Sequence, residues 1–131
     1  MTVQELITRA LRLAGVLEAE ETPTAAEQVD SLATFNDMLH AWALDGIYLD
    51  HTDLGWTDTL PYASEHLRAI RYALAVELCN DFNVDPKPAV VALAASAKAD
   101  LVEDFFTVES VEVEVALQPD AGDGYNVVTD S

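Results

Sequence analysis

Val3, Leu6, Ile7, Ala10, Leu11 and Ala14 recur at intervals of three and four, the spacing that gathers apolar side chains on one stripe of an α-helix. Thr2 and Glu5 stand at its start as a capping-box pair: the hydroxyl takes an orphan amide of the first turn while the carboxylate reaches back to the cap amide. Gly15 is placed to end the helix in the left-handed conformation, and Arg9 and Arg12 fall outside the stripe, near the negative end of the helix dipole. A second helix is predicted after Pro23. Thr24 and Glu27 repeat the capping box, and Val29, Leu32, Phe35, Leu39 and Trp42 continue a buried stripe until Asp45 and Gly46. A turn this short between two helices predicts that they pack antiparallel.

From Ile47 to Ala63 the helical period is lost. Ile47, Tyr48, Leu49, Leu54, Trp56, Leu60 and Tyr62 are scattered among Asp50, Asp53 and Asp58, which reads as a long loop holding at most a short strand or helical turn. Ser64 is a candidate cap for a third helix running to about Asn83, with Leu67, Ile70, Ala73, Leu74 and Leu78 on its inner face. Val84 to Pro88 form a stop. Asp85 as cap, with Pro86 or Pro88 in the first turn, predicts a fourth helix in which Val90, Ala94, Ala97, Leu101 and Phe105 share a face.

After Phe106 the pattern becomes strict alternation, with Val111, Val113, Val115 and Leu117 on one side and Glu112 and Glu114 on the other. That two-residue period predicts a half-buried strand. No neighbouring segment offers a partner strand, so its amides and carbonyls are expected to complete their ladder on another chain. The expected architecture is therefore all-α: a compact four-helix bundle with a long loop between helices 2 and 3 and an extended C-terminal β-strand arm. Residues 1–106 form the helical domain, and residues 107–131 the docking arm, whose end, DAGDGYNVVTDS, is turn-rich.

Charge narrows the function classes. The 131 residues carry 24 Asp and Glu against six Lys and Arg, a formal net charge of −18, so a phosphate backbone is repelled and direct grip on nucleic acid is not expected. The same repulsion suits a wall past which DNA slides. The single cysteine, Cys79, falls in an apolar helical pattern, where a buried inert thiol is expected and no intrachain disulfide is possible. No apolar run approaches the ~18 residues of a membrane helix and no targeting segment is recognisable, so a soluble protein, intracellular where it is made, is expected.

No catalytic constellation emerges, and the chain is not expected to be an enzyme. His40, His51 and His66, with Asp45, Asp50 and Asp53 near them in sequence, match no HExxH or other compact ligand spacing, so no metal site or cofactor is expected. Asp120, Asp123 and Gly124 lack the alternating oxygens and closing Glu of a calcium loop. There is no GxSxG elbow and no glycine-rich phosphate loop, and Glu18, Glu20 and Glu21 lie in an open turn where nothing desolvates them. Contact residues are the better candidates. Trp42 belongs to the core stripe, whereas Trp56 and Tyr48, in the acidic loop, are placed to anchor a partner. Arg68 and Arg71 lie on one side of the third helix, where they pair with this chain's own carboxylates or with a neighbouring subunit's.

The stretch TVQELITRALRLAGVLEAEETPTAAEQVDSLATFNDMLHAWALDGIYL resembles the start of the tail-accessory, or head-tail adaptor, family of tailed bacteriophages, which includes the packaged-DNA stabilisation proteins of short-tailed phages. The pattern that carries it is a short helix ending RLAGVL, a turn ending ETPT, and a helix carrying LATFNDMLHAWALDG. It continues more loosely through LPYASEHLRAIRYALAVELCNDFNV and PAVVALAASAKADLVEDF. The resemblance implies a structural, non-enzymatic virion protein at the head-tail junction, assembled in the host cytoplasm. It implies a homo-oligomeric ring, typically of twelve copies, beneath the portal protein, extending the DNA channel and presenting a platform for a stopper or tail-completion protein. DNA passes such a ring without specific binding, and the partner-binding candidates become Val111, Val113, Val115, Leu117, Tyr48, Trp56, Arg68 and Arg71. The net charge also permits an acidic module that imitates DNA to occupy a basic protein, which would be a monomer or dimer competing with DNA.

Overall fold

Four helices carry the chain: α1 (Val3–Ala14), α2 (Ala25–Trp42), α3 (Ser64–Asp81) and α4 (Pro88–Gly124), with a 3-10 turn, Ala43–Asp45, after α2. The computed structural model describes the backbone of residues 1–124 and the side chains of residues 1–106. Helix α1 forms as its sequence dictates. Thr2 and Glu5 make both bonds of the capping box, Gly15 closes the helix at φ 85°, and the whole expected stripe from Val3 to Ala14 is buried.

Helix α2 has its capping box at Thr24 and Glu27, and its buried stripe is Ser31, Phe35, Met38, Leu39 and Trp42. Val29, expected on that stripe, is 67% exposed. The reason is register: one turn before Phe35 is Ser31, and Val29 lies two residues further back, off the core face. Ser31 is buried because its hydroxyl donates to the Glu27 carbonyl within the helix, leaving no polar group unpaired.

Helix α3 is the central element, packing most extensively against α4 and α1 and less against α2. Ile70, Leu74 and Leu78 are fully buried, and Ala69, Ala73 and Ala75 beside them let neighbours approach closely. The side-by-side pairing expected of α1 and α2 is reduced to slight contact. The long loop bridges them instead: Asn36 in α2 accepts from the Leu54 amide, and Val3 and Gln4 in α1 donate to the Asp58 and Trp56 carbonyls. Ile47 and Leu60 are buried, and Leu49, Leu54, Trp56 and Tyr62 pack against the core, so the loop is a layer of it.

The third and fourth helix starts differ from expectation. Ala63 occupies the cap position of α3 without a side-chain bond, and Ser64 is the first helical residue. Helix α4 begins at Pro88, where a missing amide costs nothing, and the Lys87 carbonyl accepts from Val90 and Val91; Asp85 lies outside the cap. The expected face of α4 is borne out, with Val90, Ala94 and Leu101 buried and Ala97 and Phe105 partly so.

The C-terminal β-strand is corrected. Val111, Val113, Val115 and Leu117 lie within α4, which continues to Gly124. A strand with no partner leaves every ladder group unmade, whereas a helix satisfies each backbone group from within its own segment. Among the described residues the β pairing is an isolated antiparallel bridge, Thr2 to Thr59. The end of the turn-rich terminal segment, residues 125–131, lies outside the described residues. No helix among the described residues is long and apolar enough to cross a membrane.

Candidate interaction surfaces

The loop between α2 and α3 carries the most chemistry, because its backbone is tied at both ends and its polar side chains converge on one face of α2. Asn36 and His40 stand one helical turn apart on that face. The Asn36 amide is oriented without ambiguity: its Oδ1 accepts the Leu54 amide at 3.0 Å, and its Nδ2 donates to the Leu54 carbonyl at 3.1 Å and the Leu32 carbonyl at 3.3 Å. The same Oδ1 lies 2.9 Å from His51 Nε2. A carboxamide oxygen only accepts, so Nε2 carries the His51 proton and Nδ1 keeps its lone pair, which receives the Tyr62 hydroxyl. His40 Nε2 lies 2.7 Å from Asp53 Oδ1, and the His40 and His51 rings meet edge-on with centroids 4.8 Å apart.

Electrostatics favour the neutral His51 ring. Burial, and after it the neighbouring His40, hold the His51 imidazole below its ordinary value, with Asp53 acting in the opposite sense. Burial and then Asp50 push the Tyr62 phenol up, so it remains a donor. Of the histidines and acids singled out in the sequence, the fold brings together His40, His51 and Asp53. His66 lies elsewhere, its ring 5.6 Å from Phe105, and Asp45 pairs with Lys98 at 2.7 Å. Asn36 and Tyr62 were missed by sequence reasoning. Asn36 had one available signal, its position a turn before His40 on the polar side of α2.

The contact candidates separate. Tyr48 is 54% exposed, whereas Trp56 is half-buried against the core and lines a cleft with Gln4, Arg9, Arg12 and Gln28. Arg68 and Arg71 place their guanidinium groups 5.1 and 5.2 Å from the Tyr72 ring centre. Among the described residues neither arginine meets a carboxylate of this chain; the described ion pair is Lys98 to Asp45, and His40 and Asp53 share a hydrogen bond. The side chains of Val111, Val113, Val115 and Leu117 lie outside the described residues. Cys79 is buried with its thiol 3.4 Å from the Ala14 carbonyl; burial first and Asp85 second push it up, Lys87 opposing, as befits an inert thiol.

No curated protein matches the chain. A family model described as the P22 tail accessory factor matches residues 1–131, from the first capping box to the last residue. The chain therefore belongs to the P22 tail accessory factor family, a family of phage tail proteins.

Proposed function

We propose that this protein is a structural head-tail adaptor: copies of it form a ring, dodecameric by resemblance, under the portal, extending the DNA channel, helping retain packaged DNA and offering a platform to the stopper or tail. The observation that carries it is the family match over residues 1–131. Charge supports it, since a surface at −18 per copy repels the DNA that slides past and suppresses adhesion to it. Helix α4 runs 37 residues, about 55 Å, against about 27 Å for the 18 of α3. On this reading the stretch from Val111 to Leu117 docks on the portal or the adjacent subunit as part of a helix, with Tyr48, Trp56, Arg68 and Arg71 as further contacts. The role is mechanical and not enzymatic, and its place is the head-tail junction of the virion.

The test is imaging of tail-less, portal-bearing capsids mixed with the full chain. Added ring-shaped density of cyclic order at the single portal vertex is expected. A chain that stays monomeric or dimeric, leaves that vertex unchanged and instead displaces DNA from a basic protein would replace this reading with DNA mimicry.

A further inference from the structure

We propose that His40, His51 and Asp53 form a binding site for a divalent transition-metal ion, zinc being the fitting choice, which staples the loop after Gly46 to helix α2. One ligand atom from each of the three lies within 4.8 Å of the others. Ligands on a tetrahedral ion at 2.0–2.1 Å are about 3.3 Å apart, so side-chain shifts of roughly 1 Å complete the site. His40 Nε2 and Asp53 Oδ1, at 2.7 Å, need only open slightly around the ion.

The surroundings resemble the outer shell of a metal centre more than a chance meeting of polar groups. Imidazoles that ligate a metal donate their other N–H to an oxygen that fixes the tautomer, and Asn36 Oδ1 does this for His51. Asn36 is itself held by three backbone bonds, so the orientation is set by α2 and the loop before any ion arrives. The lone pair left on His51 Nδ1 is engaged by the Tyr62 hydroxyl, the group the ion displaces. Two imidazoles and one carboxylate favour zinc, cobalt, nickel or copper over magnesium and calcium, and leave a fourth position for water. Access is open: the side chains of His40 and Asp53 are 49% and 79% exposed. A chain of net charge −18 also concentrates cations at its surface.

The loop position of two ligands gives the ion a structural consequence. Asp50, at φ 58°, turns the chain just before His51, and His51 and Asp53 then face α2 from one short segment. Bound metal joins that segment to His40 and stabilises the folded chain by an amount that rises with the logarithm of the free-metal concentration above Kd.

The full-length protein, stripped with chelator, is titrated with Co2+ in excess Mg2+, so that its many carboxylates are already occupied. Expected are one equivalent of Co2+ with the visible absorption of a tetrahedral site, displacement by Zn2+, and a Zn2+-dependent rise in Tm. His40→Ala and Asp53→Asn alter exposed side chains and should stay folded by circular dichroism while weakening Co2+ binding at least 10-fold; Asn36→Ala should weaken it by roughly 10–100-fold through loss of the outer-shell bond. Absence of tetrahedral absorption, or an affinity that His40→Ala and Asp53→Asn leave unchanged, overturns the proposal. In that case His40 and Asp53 are joined by their hydrogen bond alone.

Discussion

The backbone amide of Gln4, in the first turn of α1, donates to the carbonyl of Trp56 in the long loop at 3.0 Å. Val3 donates to Asp58 at 2.9 Å, and Glu5 donates to the Thr2 hydroxyl at 3.2 Å, so the amides that a helix start leaves orphaned are all met. Leu60 returns the link by donating to the Met1 carbonyl at 3.0 Å. The start of α1 is thus built from two distant stretches of chain, and the loop that carries the candidate metal ligands is anchored by the same bonds.

Thr2→Ala removes a cap bond at that junction and should cost about 1 kcal/mol, and Thr24→Ala about the same at α2. Urea unfolding followed by circular dichroism measures both. A value near zero at Thr2 would mean that the loop carbonyls alone hold the helix start.

Gly15→Ala should destabilise by roughly 1–2 kcal/mol, because φ 85° is left-handed and a Cβ there is strained. The nearest atom to that Cβ, Val84 Cγ1, is 3.8 Å away, so backbone strain and not a clash sets the cost. Comparison of unfolding midpoints, with unchanged slope, is the check.

Phe35→Ala and Val29→Ser separate the observed stripe of α2 from the expected one. Phe35 is fully buried and its truncation should cost about 3–5 kcal/mol, whereas Val29→Ser should fall within about 0.5 kcal/mol of the parent. Equal losses at the two sites would contradict the register of α2.

Cys79 should resist thiol reagents in the folded chain and react once it is unfolded. Its folded-state value is raised above the ordinary 9.0, so the folded state holds the proton longer than the unfolded one. Stability from this group is therefore complete below pH 9.0 and declines as pH rises past it. Denaturation midpoints on either side of that value test the sign, and a midpoint that rises there contradicts it.

Truncation after Phe106 removes the outer part of α4 while keeping every buried residue named above. The shortened chain should unfold at a similar temperature and fail to join portal-bearing capsids. Assembly equal to that of the full chain would remove the docking role from residues 107–131.

Local pattern alone determined both capping boxes, Gly15, the complete stripe of α1 and the inner face of α4, because capping and helical periodicity act over four residues or fewer. The family resemblance was legible for the same reason, in RLAGVL and LATFNDMLHAWALDG. Alternation at Val111 to Leu117 misled, since a period of two specifies a strand only where a partner ladder exists. The meeting of Asn36, His40, His51, Asp53 and Tyr62 was decided by tertiary structure. A turn of α2 and a loop with no period of its own are held together by the burial of Ile47 and Leu60 and by the loop carbonyls that cap α1. Sequence sets what each segment can be; which polar side chains become neighbours depends on the packing that closes the loop between them.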